Sequence, residues 1–318
     1  MSISMIGIDH SKASVDIRAK FSFTKKRAIE AMKKLKEEHG ILGCIILSTC
    51  NRMEVWVSTQ DDEEISLYDF LCKEKEVEKD EYQDYFMKRE NEEAVRHLFY
   101  LTSGLKSQIL AEDQIITQVK DALTLARDAY CTDNVLEVLF RMAVTAAKKV
   151  KTEVTFSRAN TSVIHQAMER LKNQGFSFEG KTCMVIGNGE MGKVTALALK
   201  EAGADVTVTV RQYRSGVVNI PQGCKRINYG ERMELLPDCD LVVSATASPN
   251  YTLTKENFEE IKLDAASVVL IDLAVPRDID PEVGKLQNVS LYDIDSFRID
   301  AASPKLQASM QKAGEILD

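Results

Sequence analysis

The run Ser48-Thr49-Cys50-Asn51-Arg52 sets a cysteine between an apolar stretch, Cys44-Ile45-Ile46-Leu47, and an arginine. A thiolate attacks carbonyl carbons, whereas a thiol hardly does. A free cysteine titrates near ~8.5, and a neighbouring guanidinium or a ring of backbone donors lowers that value by roughly one unit or more. These residue types in this order make Cys50 a candidate nucleophile. The competing reading is a small apolar residue closing a strand.

A second group carries a different chemistry. Gly187-Asn188-Gly189-Glu190-Met191-Gly192 follows the apolar run Cys183-Met184-Val185-Ile186 and opens a helical pattern from about Met191 to Ala202. In a G-x-G-x-x-G turn the first glycine permits the tight bend and the second lets the backbone approach a pyrophosphate. The third lets helix and strand pack closely, with the anion on the helix N-terminus. A cofactor of the NAD type calls for an acidic residue about twenty positions further on. This chain has Arg211 there, followed by Arg214. A guanidinium binds a 2′-phosphate through two parallel hydrogen bonds and a carboxylate repels it, so the pattern favours NADP; the competing reading is that both arginines are exposed loop residues.

A third stretch, His97 to Lys120, is rich in polar groups for a region with helical apolar spacing. Ser107, Glu112, Gln114 and Gln118 can converge on a polar ligand, with His97 nearby. Taken singly, each of the four reads as an exposed helix residue and His97 as a satisfied histidine beside a core.

The elements that must hold these groups change character along the chain. Ile3 to Ile8, Ile41 to Leu47 and Val55 to Ser58 read as strands, and Lys25 to His39 as a helix closed by Gly40. Together they predict a small α+β unit with Cys50 on the loop between its last two strands. A charged stretch, Asp61 to Asp84, holds a short helix around Leu67 to Lys73. Asn91 to Thr102, Glu112 to Tyr130 and Asn134 to Thr155 repeat apolar residues every three or four positions, as does Ser162 to Asn173. From Lys181 onward strands alternate with helices, the strands being Lys181 to Ile186, Val206 to Val210, Leu241 to Ala245, Val268 to Leu273 and Ser290 to Tyr292. That alternation marks a parallel sheet covered on both faces.

Composition sets the outer limits. The 318 residues are 44% hydrophobic and 28% charged, enough for two ordinary cores, and no run approaches the ~20 apolar residues of a membrane span. The start has neither the cationic flank nor the cleavage site of a signal peptide. Seven cysteines without a C-x-x-C pair suggest reduced thiols in the cytoplasm, and four histidines form no local metal pattern. The net charge of −8 argues against indiscriminate nucleic-acid binding. It leaves room for a folded RNA docked on a local patch such as Lys25-Lys26-Arg27 or Lys148-Lys149-Val150-Lys151, although each also reads as a solvated helix face.

Taken together the chain resembles glutamyl-tRNA reductase. The resemblance runs through Gly7-Ile8-Asp9-His10, Arg18, Ser48 to Glu54, His97 to Lys120, Gly187 to Gly192, Ile271 to Pro281 and Leu291 to Asp295. It implies an α/β protein with an N-terminal α+β catalytic and substrate domain over 1–155. A Rossmann-like, doubly wound parallel-sheet NADPH-binding domain follows over 156–296. The last segment, 297–318, would start a long linker helix, with the family's dimerisation domain absent.

The implied reaction is attack of Cys50 on the ester joining glutamate to its tRNA, then reduction of the thioester by NADPH to glutamate-1-semialdehyde, the first step of five-carbon tetrapyrrole synthesis. By the same match Arg52 would bind the glutamyl group, Thr49 and Asn51 would help fix it, and His97 would polarise the carbonyl or donate a proton. Ser107, Glu112, Gln114 and Gln118 would line the pocket. Gly187, Asn188, Gly189, Glu190, Met191, Gly192, Arg211 and Arg214 would hold the cofactor. The implied partners are glutamyl-tRNA(Glu) and the aminomutase that consumes the semialdehyde. The chain departs from the family pattern at Lys106, Ala111, Asp113 and Thr117, where Asp, Gly, Pro and Gly are usual, at Asn188, and over Tyr213 to Glu231.

Two other functions fit the same residues. One is an NADP-dependent oxidoreductase that forms a cysteine thioester from another activated acid; the other is a non-catalytic relative that binds tRNA or NADPH.

Overall fold

The computed structural model describes residues 1–60, 65–107, 114–154, 162–211, 220–261, 267–297 and 304–318. Two compact units result, one of residues 1–161 with 299–318 and the other of residues 162–298.

In the first unit the chain runs β1 (Ser2–Asp9), α1 (Val15–Phe21), α2 (Lys25–His39), β2 (Gly43–Ser48), β3 (Arg52–Thr59), α3 (Leu67–Lys75), α4 (Lys79–Tyr82), β4 (Met87–Glu90), α5 (Asn91–Thr102), α6 (Gln114–Asp128) and α7 (Asn134–Glu153). The four strands form an antiparallel sheet in the order β2-β3-β1-β4. Local signals set the helix ends: Thr24 accepts from the Arg27 N–H at the start of α2, Gly40 ends it at φ 62°, and Asp133 caps α7 through the Leu136 N–H. Leu136, Leu139, Phe140, Ala143, Ala147 and Val150 form the buried stripe of α7. α5, α6 and α7 pack around the β1–β3 region, where Trp56 is fully buried and meets Phe140 edge to face.

β3 begins three residues earlier than the apolar pattern suggests, because Arg52 and Glu54 are strand residues. They read as loop in the sequence since they are charged, yet both are buried. Register explains how: Asp9 lies opposite Arg52 and Gly7 opposite Glu54, so opposite charges meet inside the sheet.

The second unit runs α8 (Val163–Asn173), β5 (Thr182–Ile186), α9 (Glu190–Glu201), β6 (Asp205–Val210), β7 (Lys225–Asn228), α10 (Arg232–Leu235), β8 (Leu241–Ser244), α11 (Lys255–Ile261), β9 (Val268–Asp272) and β10 (Val289–Asp293). Its six strands are all parallel, in the order β10-β9-β8-β5-β6-β7. Counted from the first strand of the unit this is the order 3-2-1-4-5-6 of a doubly wound dinucleotide fold, with its switch point between β5 and β8. β5 is central, and Cys183, Met184, Val185 and Ile186 are fully buried, as a strand covered on both faces requires. The closing helix α12 (Pro304–Leu317) packs with the first unit, where Ala313 joins Leu105, Val150 and Val154 in a small apolar cluster.

Candidate active site

The turn joining β2 to β3 is locked by its own backbone and by two neighbours. Thr49 donates its N–H to the Arg52 carbonyl at 2.8 Å, and its hydroxyl oxygen accepts from the N–H groups of Asn51 and Arg52, each at 3.2 Å. His10 donates its N–H to the Asn51 carbonyl at 2.9 Å. Arg18, buried at 2% exposure, donates Nε to the Cys50 carbonyl at 3.2 Å and Nη1 to the Ala13 carbonyl at 2.6 Å. Cys50 is half-buried at the tip. Thr49 therefore serves the turn itself, a use that its expected contact with a glutamyl group did not include.

Beneath the turn lies a buried polar network. Arg52 Nη1 pairs with Glu54 Oε1 at 3.1 Å and with Asp9 Oδ2 at 3.7 Å, and Nη2 donates to the Lys106 carbonyl. Glu54 also accepts from Trp56 Nε1 at 3.1 Å and meets His97 Nε2 at 2.9 Å, while the His97 and Trp56 rings stack at 6.1 Å. Burial alone would push the Glu54 carboxyl up. His97 first, and then Arg52, reverse that by charge and hydrogen bonding and hold it at about 2. Gly7 makes room for this carboxylate, since a Cβ there would come within 2.7 Å of Glu54 Cγ.

The structure thus brings Cys50, Asn51, Arg52 and His97 into one connected region. It aims the Arg52 guanidinium at Glu54, Asp9 and Lys106. Three buried polar atoms of the first unit, His97 Nδ1, Asn51 Oδ1 and Ser103 Oγ at the end of α5, have no hydrogen-bond partner among the described residues. Unpartnered buried polar atoms are costly unless a ligand or water completes them. Ser107 follows in the same turn region as Lys106, its N–H reaching the Gly104 carbonyl at 3.4 Å. Gln114 and Gln118 lie half-buried one turn apart on α6. Glu112 lies outside the described residues. Sequence reasoning assigned no role to Asp9, Glu54 or Ser103. The signal for Glu54 was present as an acidic residue two positions after Arg52 in an otherwise apolar run.

In the second unit the glycine turn follows β5 at the switch point. Gly187 has φ +109° and a Cβ there would lie 2.6 Å from the Ala245 carbonyl oxygen, while one on Gly192 would lie 2.0 Å from that of Gly187. Gly189 faces open space and caps α9 without a side-chain hydrogen bond, leaving the first N–H groups of the helix for an anion. Open space at Gly189, beside helix N–H groups that no described side chain caps, fits a pyrophosphate. Asn188 is half-buried in the turn, Glu190 is exposed and Met191 half-buried in the first turn of α9.

Arg211, exposed at the end of β6, stacks over the Tyr229 ring at 4.5 Å, and Arg232 covers the same ring at 4.1 Å. Arg214 lies outside the described residues. Tyr229 and Arg232 were not foreseen, because β7, which delivers them, is four residues long and lacks an apolar run. Asp278 is fully buried and accepts from Ser244 Oγ, Thr246 N and Thr246 Oγ1 at 2.6–2.7 Å. Burial pushes its carboxyl up against these donors. Among the described residues no cluster of side chains suits a metal ion, and no helix is long and apolar enough to cross a membrane.

Comparison with known proteins reports on both units. Residues 6–154 match the family described as glutamyl-tRNAGlu reductase, N-terminal domain, and residues 169–299 match shikimate / quinate 5-dehydrogenase. The glutamyl-tRNA reductase of Acetivibrio thermocellus is 42% identical over 318 residues, covering 100% of this chain and 94% of that protein. That of Alkaliphilus oremlandii is 41% identical over 303 residues, covering 95% and 90%. The solved glutamyl-tRNA reductase of Methanopyrus kandleri aligns over 99% of this chain and 77% of its own, with 29% identity and a TM-score of 0.50.

Proposed function

This chain belongs to the glutamyl-tRNA reductase family, and from that premise we propose that it reduces the glutamyl group of glutamyl-tRNA(Glu) to glutamate-1-semialdehyde with NADPH, using Cys50 as nucleophile. The observation that carries the reading is the β2–β3 turn, in which Cys50 is followed directly by Asn51 and by Arg52 of the buried network, with Asn51 Oδ1 and His97 Nδ1 lacking a partner among the described residues. Cys50 Sγ attacks the ester carbonyl, the bond to the tRNA 3′ oxygen breaks, and that oxygen leaves as a hydroxyl after taking a proton. His97 is the proposed proton carrier at Nδ1, its ring held by Glu54 through Nε2. Asn51 and Ser103 are the proposed binders of the glutamyl group. Arg52, committed to Glu54 and Asp9, supports the site from below and adds positive potential. Ser107, Glu112, Gln114 and Gln118 are proposed for the pocket rim, and Arg211 and Arg214 for the 2′-phosphate.

When bound, NADPH supplies hydride to the thioester carbon. The carbon–sulfur bond then breaks, Cys50 leaves as thiolate, and the aldehyde is released. The second unit holds the cofactor through the α9 N-terminus and the glycine turn. The reaction is assigned to the cytoplasm, in keeping with seven cysteines that are all free thiols, and the semialdehyde would pass to an aminomutase.

The test is single-turnover mixing with glutamyl-tRNA in the absence of NADPH, followed by mass spectrometry of the Cys50 peptide. A glutamyl adduct is expected there, and Cys50→Ser is expected to lower reductase activity by at least ~10³-fold with an unchanged circular dichroism spectrum. Normal turnover by that variant would end the proposal.

A further inference from the structure

Arg232, the first residue of α10, takes no part in the chemistry above. Its neighbours are nonetheless those of the cofactor crevice. The parallel pairing ends at Ile186 with Thr209 and Ser244, and at Val210 with Asn228. Gly187, Arg211, Tyr229 and Ala245 are therefore the first residues beyond the carboxyl ends of β5, β6, β7 and β8. Ligands of doubly wound sheets bind outside those ends. Tyr229 stands in this row with two guanidinium groups on its ring, Arg211 at 4.5 Å and Arg232 at 4.1 Å from the centre.

The protein itself fixes Arg232. Its Nε donates to the Thr252 carbonyl at 3.0 Å and its Nη1 to the Tyr229 carbonyl at 2.9 Å, both neutral acceptors. Among the described residues Nη2 has no partner, and neither Arg211 nor Arg232 forms an ion pair with a carboxylate. Arg277 of the same unit is the contrast, since Asp293 takes up its charge at 2.9 Å. The two guanidinium groups on Tyr229 can be no farther apart than their distances to the ring added together, and like charges so close repel. A shared anion turns that repulsion into attraction.

We infer that Arg232 is a second specificity-determining residue for NADPH, with Tyr229 as the platform that sets it beside Arg211. The inference rests on the NADPH reading of the second unit. A phosphate monoester such as the ribose 2′-phosphate carries about 1.5 to 2 negative charges near neutral pH, so one guanidinium leaves it partly uncompensated and two match it. Guanidinium donors form charge-assisted hydrogen bonds with its oxygens, and a fork already held by two carbonyls loses little freedom in doing so. A cofactor without the phosphate brings nothing for this charge to meet, so Arg232 favours NADPH over NADH.

The test is calorimetric titration of the full chain with 2′,5′-ADP and with 5′-AMP, which differ in the 2′-phosphate alone. Arg232→Gln, which keeps a donor for one of the carbonyls, is expected to weaken 2′,5′-ADP by ~10–100-fold and to leave 5′-AMP within about two-fold of the parent. Tyr229→Leu is the second variant, because it removes the ring and leaves the backbone carbonyl that Arg232 uses. It should weaken 2′,5′-ADP by at least ~5-fold and spare 5′-AMP in the same way. Parallel losses for both ligands would make Arg232 a structural tie between α10 and the Thr252 segment and overturn the inference, as would unchanged 2′,5′-ADP affinity in Arg232→Gln. A parent protein that binds 2′,5′-ADP no more tightly than 5′-AMP would instead sink the NADPH reading itself, and the inference with it.

Discussion

The two units solve opposite electrostatic problems. In the first, Arg18, Arg52 and Glu54 are no more than 2% exposed, and each charge is held by a named partner in a fixed place. In the second, the groups proposed to meet a phosphate are backbone N–H groups at the α9 N-terminus and an exposed arginine, beside a glycine turn that is close-packed at Gly187 and Gly192 and open at Gly189. The difference suits what each is proposed to bind. A small acyl group must be desolvated and oriented, which calls for buried charges that satisfy one another before substrate arrives. A pyrophosphate brings its own strong charge and needs only donors and room. Changes in the first unit should therefore be felt as stability and activity together, whereas in the second unit changes away from the close-packed Gly192 should separate the two.

The largest effect is expected at Glu54. Glu54→Gln leaves Arg52, among the described residues, with the more distant Asp9 carboxylate at 3.7 Å, and should destabilise the first unit by ~3–5 kcal/mol, the usual cost of breaking one half of a buried pair. Chemical denaturation followed by Trp56 fluorescence would measure it. The same carboxyl predicts the acid limit. Its folded value of about 2 lies below the ordinary 4.5, so its stabilising contribution is complete above about 4.5 and disappears as pH falls through about 2. The parent protein should lose stability over that window, and Glu54→Gln should show a flatter profile there. A variant as stable as the parent would erase the contrast between the units.

Next comes Gly192→Ala. Its Cβ would sit 2.0 Å from the Gly187 carbonyl oxygen, so α9 must move off β5, at a cost of ~1–3 kcal/mol and with loss of NADPH binding. Calorimetry together with NADPH fluorescence titration would show both losses in one variant.

Arg211→Ala should act on selectivity without such a cost. Loss of a charge-assisted contact to the 2′-phosphate is expected to reduce the ratio of NADPH to NADH affinity by ~10–100-fold, with the melting temperature nearly unchanged. An unchanged ratio would move selectivity to Arg232 or to residues outside the described ones.

The sequence made the second unit more legible than the first. A buried parallel strand reads as an apolar run and a phosphate turn as a glycine pattern, so β5, its turn and α9 can be recognised without knowledge of their neighbours. Arg211 is found by counting from that turn. Tyr229 and Arg232 are not, because β7 owes its place to pairing with β6 and carries little apolar signal of its own. In the first unit the cysteine turn is visible, but its support is not. Arg52 and Glu54 appear as loop residues until the β1–β3 register sets Asp9 and Gly7 opposite them. Local chemistry is written locally; charge satisfaction depends on contacts that only the fold creates.

The smallest structural effect, and the sharpest separation of the two units, is expected at Gly189. Its Cβ direction is open and its φ of −70° suits any residue, so Gly189→Ala should change stability by no more than about 0.5 kcal/mol. The added methyl group nonetheless enters the space left at the helix N-terminus, where a pyrophosphate must come against the backbone. NADPH affinity should fall by ~10-fold, while acylation of Cys50 by glutamyl-tRNA without NADPH proceeds at the parent rate. That combination isolates the second unit's task from the first. If affinity is retained, the open face of the turn is not where the phosphates lie, and the assignment of the α9 N-terminus must be withdrawn even though the glycine spacing remains.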